Sequence, residues 1–150
     1  MRKVVFALAI VLVAALAAAS DKSDAVAAVH QFADGFNQGD VASALATCAS
    51  PASIVDEFPP YAWQGPKACA DWAHDYDADA KKNGITDGKV TLGKPWHVDV
   101  SGDRAYVVMP AKYSFKQKGK RATEPASILT VALQKGTAGW RITGWAWSKR

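Results

Sequence analysis

Asp56 is the acid whose neighbours invite chemistry. It sits in Ile54-Val55-Asp56-Glu57-Phe58, a stretch otherwise suited to burial. A carboxyl taken out of water there is raised toward neutrality and becomes usable as a general base. If the segment alternates as a strand, Glu57 points the other way. The histidines offer less. His74 lies between Trp72 and Tyr76 on a helical pattern with Asp71 three residues before it, and is expected to face solvent. His30 falls at a helix edge, and His97 alternates with Trp96 and Val98 in a strand pattern, so the face holding Trp96 does not hold His97.

Two cysteines, Cys48 and Cys69, are spaced neither as a redox pair nor as a zinc site, and no metal site is expected. An even count in an oxidising compartment favours a structural disulfide over two free buried thiols. No phosphate loop, paired metal-binding histidines or nucleophile elbow occurs, so no cofactor is indicated. Aromatic residues are the stronger signal. Trp63, Tyr76, Tyr113 and Trp145, with Asp56, are the candidate lining of a ligand pocket. The competing account is that such rings simply fill a small core.

The elements that must position these residues change period along the chain. Ser23 or Asp24 can cap a helix in which Val26, Val29, Phe32, Ala33 and Phe36 form one apolar stripe, broken by Asn37-Gln38-Gly39. Asp40 can cap a second helix running to about Ala49, ended by Pro51. An extended piece, Ser53 to Phe58, stops at Pro59-Pro60. Gly65-Pro66 then opens a third helix carrying Cys69, Trp72 and Tyr76, which ends at Asn83-Gly84.

From Lys89 the pattern becomes strands and short turns. One strand is read from Val90 to Val100 with an irregularity at Gly93 to Pro95, and others at Arg104–Lys116, Thr123–Gln134 and Trp140–Trp147. On the last, Trp145 and Trp147 share one face, with Ile142, Gly144 and Ala146 on the other. Helices first and a meander later is an α+β order, three helices packed in one strongly curved sheet that is antiparallel or mixed.

The N-terminus reads as a leader. Arg2 and Lys3 precede an apolar run, Val4 to Ala19, of about 16 residues, short of the roughly 20 that cross a bilayer core. A secretory signal over residues 1–19, cut after Ala19 or one residue to either side, leaves a single domain over 20–150, with no transmembrane segment and a periplasmic or secreted destination. The full chain has 18 basic and 14 acidic residues, but the mature domain carries only about +2. Its lysines and arginines are spread, so nucleic acid is not an expected partner.

Three segments resemble the nuclear-transport-factor-2-like superfamily, the cone-shaped fold shared with SnoaL-type cyclases and steroid delta-isomerases. FADGFNQGDVASALATCA is similar to its first two helices. ASIVDEFPPYAWQGPKACADW is similar to its short strand, loop and third-helix opening, and GWRITGWAWSK to its last strand. The resemblance covers about Ala25 to Trp147. It places Asp56 where the isomerases carry their general base, but Phe32 where they carry an oxyanion-hole tyrosine. Ala126 or Ser127 stands where they carry a second acid, and Glu124 falls too early for that position. It also implies a homodimer through the exposed sheet face.

Two function classes follow. The first is an exported domain that binds a small apolar or aromatic ligand or another protein, without evident catalysis. The second is a cofactor-independent cyclase, dehydratase or isomerase using Asp56 as general acid/base.

Overall fold

The computed structural model describes the backbone of residues 2–150 and the side chains of residues 19–150. The leader read over residues 1–19 falls outside the residues whose side chains are described, apart from Ala19 itself. In chain order the elements are α1 (Arg2–Gln38), α2 (Val41–Leu45), β1 (Cys48–Val55), β2 (Ala62–Gly65), α3 (Ala68–Asn83), β3 (Ile85–Leu92), β4 (His97–Ser101), β5 (Arg104–Gln117), β6 (Lys120–Gly136) and β7 (Gly139–Lys149).

Ser23 does not cap α1. Its hydroxyl bonds back to the Ser20 carbonyl at 2.8 Å, and the helix runs through this point without a break. Serine within a helix satisfies itself in this way when no turn competes. The expected stripe is inward: Val29, Phe32 and Ala33 are buried, joined by Ala25. Gly35 sets how closely α2 crosses. A Cβ there would lie 2.6 Å from the Ala44 backbone nitrogen.

The second helix is shorter than expected. Asp40 caps it by accepting from Ser43 N at 3.0 Å, yet it stops at Leu45, and Cys48 opens a strand instead of ending a helix. The cause is tertiary. Thr47, β-branched and buried, folds its hydroxyl onto the Ala44 carbonyl at 2.7 Å, while its own carbonyl accepts from Ile142 N on β7 at 2.8 Å. Pro51 then lies inside β1, where the pairing with β7 shifts between Cys48 and Ser53. A proline is tolerated at such an irregularity because no ladder donor is lost.

All strands belong to one open, curved sheet in the order β2-β1-β7-β6-β5-β3, with β4 also on β5. It is mixed, since β1 and β7 run parallel and every other pair is antiparallel. The single strand expected from Val90 to Val100 is two strands. Both lie along β5, β3 against Ala111–Gln117 and β4 against Arg104–Val108. Between them Gly93 N and Trp96 N still reach the carbonyls of Pro110 and Val108. Strand β2, not expected, pairs Trp63 with Ile54 across a turn that holds Asp56 to Tyr61.

The helices pack into the concave face. From β5 come Ala105, Val107, Met109 and Ala111, and from β6 Leu129, Val131 and Leu133. On β7 the expected division of faces fails. Trp140, Ile142 and Trp145 are all buried, because a register shift next to Ala132–Leu133 moves the inward positions from even to odd numbers. Ile142 thus shares the inner side with Trp145. Gly144 lies close to β1, where a Cβ would stand 2.7 Å from the Ser53 carbonyl oxygen.

Candidate functional site

Ile54 and Val131 flank Trp145 across the sheet at the deep end of the cone. Phe32 on α1 packs against Trp145 at 5.8 Å and Trp72 on α3 at 5.7 Å between ring centroids. Trp72 and Trp145 meet edge to face at 4.9 Å. Toward the mouth, Tyr76 stacks on Trp72, and its hydroxyl hydrogen-bonds that of Tyr113 on β5. Both hydroxyls rest on Gly88 in the irregularity of β3, where a Cβ would stand 2.7 Å from Tyr113 Oη and 2.9 Å from Tyr76 Oη. Burial pushes both phenols above the ordinary tyrosine range.

These rings enclose a cavity of ≈ 130 Å³. Asp56, Tyr76, Tyr113 and Trp145 all line it, but Trp63 does not. The Trp63 indole is held elsewhere: its ring packs on Phe58 at 5.0 Å and its Nε1 donates to Asp75 on α3 at 2.9 Å. That bond, with one from His74, holds Asp75 below the usual carboxylate range. His74 faces solvent as expected, and Trp96 and Tyr61 are also exposed, so core filling does not account for every ring.

Asp56 lies just past the end of β1, at the start of the turn to β2. Its Oδ2 accepts from Trp72 Nε1 at 2.8 Å and its Oδ1 from Glu57 N at 2.8 Å. Burial nevertheless prevails and raises its pKa, with the two hydrogen bonds pulling the other way. Because β1 ends at Val55, strand alternation no longer governs Glu57. Glu57 therefore lines the same cavity as Asp56 instead of pointing away.

Neither Ala126 nor Ser127 lines the cavity, but Glu124 on β6 does. Ala126 is exposed and Ser127 is buried in the core, whereas Glu124 lines the cavity. The register explains it: β5 and β6 slip between Ala111 and Tyr113, which sets Glu124 opposite Tyr113. Lys149 Nζ bridges the two glutamates, 3.1 Å from Glu57 Oε2 and 3.5 Å from Glu124 Oε1. Burial and the neighbouring Glu124 carboxylate push Glu57 up to about 7. Glu124 Oε2 and Trp145 Nε1 are both buried with no hydrogen-bond partner.

Cys48 at the start of β1 and Cys69 in the first turn of α3 are joined by a disulfide. The segment carrying Asp56 is therefore tied at both ends. Among the described residues no group of His, Cys, Asp and Glu side chains is arranged to hold a metal ion, and no helix is long and apolar enough to cross a membrane.

Residues 25–148 match the SnoaL-like domain, and the chain belongs to this family. A nuclear-transport-factor-2-like protein with a cystatin-like fold from Novosphingobium aromaticivorans is 17% identical, with a TM-score of 0.73 over 91% of this chain and 86% of that one. A superfamily protein from Salmonella enterica serovar Typhimurium gives 0.73 at 13% identity, covering 87% and 92%. A ketosteroid isomerase-like protein from Erwinia carotovora atroseptica gives 0.63 at 20% identity, covering 85% and 94%. At these identities the likenesses establish the fold. No curated protein sequence matches the chain.

Proposed function

We propose that this domain binds a small, largely apolar molecule in its cone, with Asp56 receiving a donor group at the molecule's polar end. The observation that carries this reading is the aromatic-walled cavity of ≈ 130 Å³ with its polar side chains gathered around Asp56. That volume suits a single ring, since an apolar cavity of about 150 Å³ accommodates benzene. The leader sequence, read with the Cys48–Cys69 disulfide, supports a periplasmic or secreted protein. Apolar positions on the outer sheet face, Val55 and Tyr106 among them, support a homodimer or a protein partner docking there.

A second reading is proton transfer by Asp56 in a cofactor-independent cyclase, dehydratase or isomerase, favoured by the upward shift of its pKa. Binding ranks first because Phe32, which lines the cavity, has no hydroxyl to offer a developing oxyanion. One such donor contributes about 3 kcal/mol to a transition state.

The test is calorimetric titration of wild type and Asp56→Asn with p-cresol and toluene, which differ by one hydroxyl. Asp56→Asn is expected to weaken p-cresol by about 1.5–3 kcal/mol and to leave toluene nearly unchanged. Equal changes for both ligands would remove Asp56 from the site.

A further inference from the structure

The chemical class of the ligand follows from the charge of the lining, an argument that rests on the binding reading above. Nine of the residues lining the cavity are aromatic and four are acids, Asp56, Glu57, Asp79 and Glu124. No lysine, arginine or histidine among the described residues lines it. The contrast with the rest of the chain is sharp, because basic residues outnumber acidic ones 18 to 14 overall. Aromatic faces present negative potential and attract cations, more strongly where water is excluded. Walls and rim therefore act in the same direction.

Two buried atoms add an independent indication. Glu124 Oε2 lacks any donor, and Trp145, only 6% exposed, has an indole N–H with no acceptor. Orphaned buried groups of this kind are costly and call for a partner. We propose that the cone takes a small protonated amine, its ammonium group set among Glu57, Glu124 and Asp56 and its apolar body against the rings, with Trp145 Nε1 free to donate to an acceptor at the deep end.

Without such a cation, the acids are balanced by Lys149 at the rim and by a proton. Glu57 faces Glu124 from β6, Lys149 from β7 and Asp56 on its own turn, with Asp79 and Tyr76 of α3 and Tyr113 of β5 lining the same space. Burial first, and then the hydrogen bond that a protonated Glu57 can donate to Glu124, hold its pKa at about 7. An arriving ammonium supplies the N–H donors instead. Glu57 then loses its proton to the buffer, so affinity should rise with pH through neutrality.

The experiment titrates the domain with benzylammonium, benzyl alcohol and benzoate, ligands of one ring size and three charges. Benzylammonium is expected to bind about tenfold or more tighter than benzyl alcohol, and benzoate weakest. Calorimetry in buffers of different ionisation enthalpy should register proton release on benzylammonium binding near neutral pH. Glu124→Gln should weaken benzylammonium by a much larger factor than benzyl alcohol and bring the two affinities together. Lys149→Gln, which removes a competing cation, should strengthen benzylammonium binding severalfold, a gain that damage to the fold would not produce. Benzyl alcohol or benzoate binding as tightly as benzylammonium overturns the cation assignment and leaves the pocket reading standing, as does an unchanged benzylammonium affinity in Glu124→Gln. Failure of all three ligands to bind overturns the pocket reading and this proposal with it.

Discussion

Trp72 Nε1 donates to Asp56 Oδ2 at 2.8 Å, joining α3 to the turn that follows β1. This bond stabilises the charged carboxylate against the burial that disfavours it. Trp72→Phe keeps a ring but removes the donor. The Asp56 pKa should rise further, and the protein should lose about 1–3 kcal/mol at neutral pH, where the carboxylate would be left short of a partner. Carbon-detected NMR titration of the Asp56 carboxyl reads the first effect and urea unfolding the second. An unchanged Asp56 titration would mean that the indole does not hold the carboxylate.

Glu57 makes stability depend on pH with a definite sign. Its folded pKa, about 7, lies above its ordinary value of 4.5, so between those values the folded state binds more protons than the unfolded one. Stability is therefore expected to fall as pH rises from about 4.5 to about 7. Asp56, also raised, contributes in the same direction at the acidic end. Glu57→Gln cannot ionise and should flatten the decline, leaving the variant more stable than wild type above neutrality. Urea midpoints measured on both sides of neutral pH decide it, and a wild-type protein that gains stability across this window contradicts the assignment.

Gly88 leaves room for the paired hydroxyls of Tyr76 and Tyr113. Gly88→Ala places a methyl group 2.7 Å from Tyr113 Oη, so the tyrosine must move or the β3 irregularity must open. Overpacking of this kind costs about 1–3 kcal/mol. In a Tyr113→Phe background the nearer of the two obstructing oxygens is gone, with Tyr76 Oη at 2.9 Å remaining, and the same substitution should cost less. Equal costs in the two backgrounds, measured by a double-mutant cycle, would show that the hydroxyl does not occupy this space.

The Cys48–Cys69 bond spans a sequence separation of 21. Constraining a loop of that length in the unfolded chain contributes about 3 kcal/mol. The double variant Cys48→Ala, Cys69→Ala should lower the urea midpoint accordingly, with the slope of the transition altered by the less compact unfolded state. Protein recovered from the cell envelope should show no free thiol when titrated under denaturing, nonreducing conditions. Two free thiols would contradict both the pairing and the oxidising compartment.

What could be read from residue order alone was governed by range. The α1 stripe of Val29, Phe32 and Ala33, the Asp40 cap and the stop at Gly84, whose backbone is left-handed, are local signals. So is the alternation along β5. The early end of α2 was not legible, because it depends on Thr47 meeting Ile142, a residue far along the chain. Asp56 is legible from its apolar neighbours, whereas the inward place of Glu57 depends on β1 ending at Val55, which alternation alone does not announce. Glu124 needed a register shift that no local pattern announces. Trp63 resembled its fellow aromatics in composition, and only its bond to Asp75 sets it apart.

The parallel pairing of β1 with β7 sets the order in which this molecule can be completed. Ile54 and Trp145 are neighbours in the sheet, although more than half the chain lies between them. Until β7 arrives, β1 has only the short strand β2 beside it, and β6 offers an open edge of its own. Such long-range closure is slow compared with the formation of helices. A chain delivered from its N-terminus, as every chain is during synthesis, would therefore emerge with its site in two halves, Asp56 and Glu57 on the leading part and Trp145 and Lys149 at the trailing end. The half-made sheet exposes the kind of unpaired strand edge that recruits other chains. Truncation within β7 should consequently be read as aggregation before it is read as lost binding, and a holdase chaperone would be needed most in the interval before the last eleven residues of the sheet are delivered.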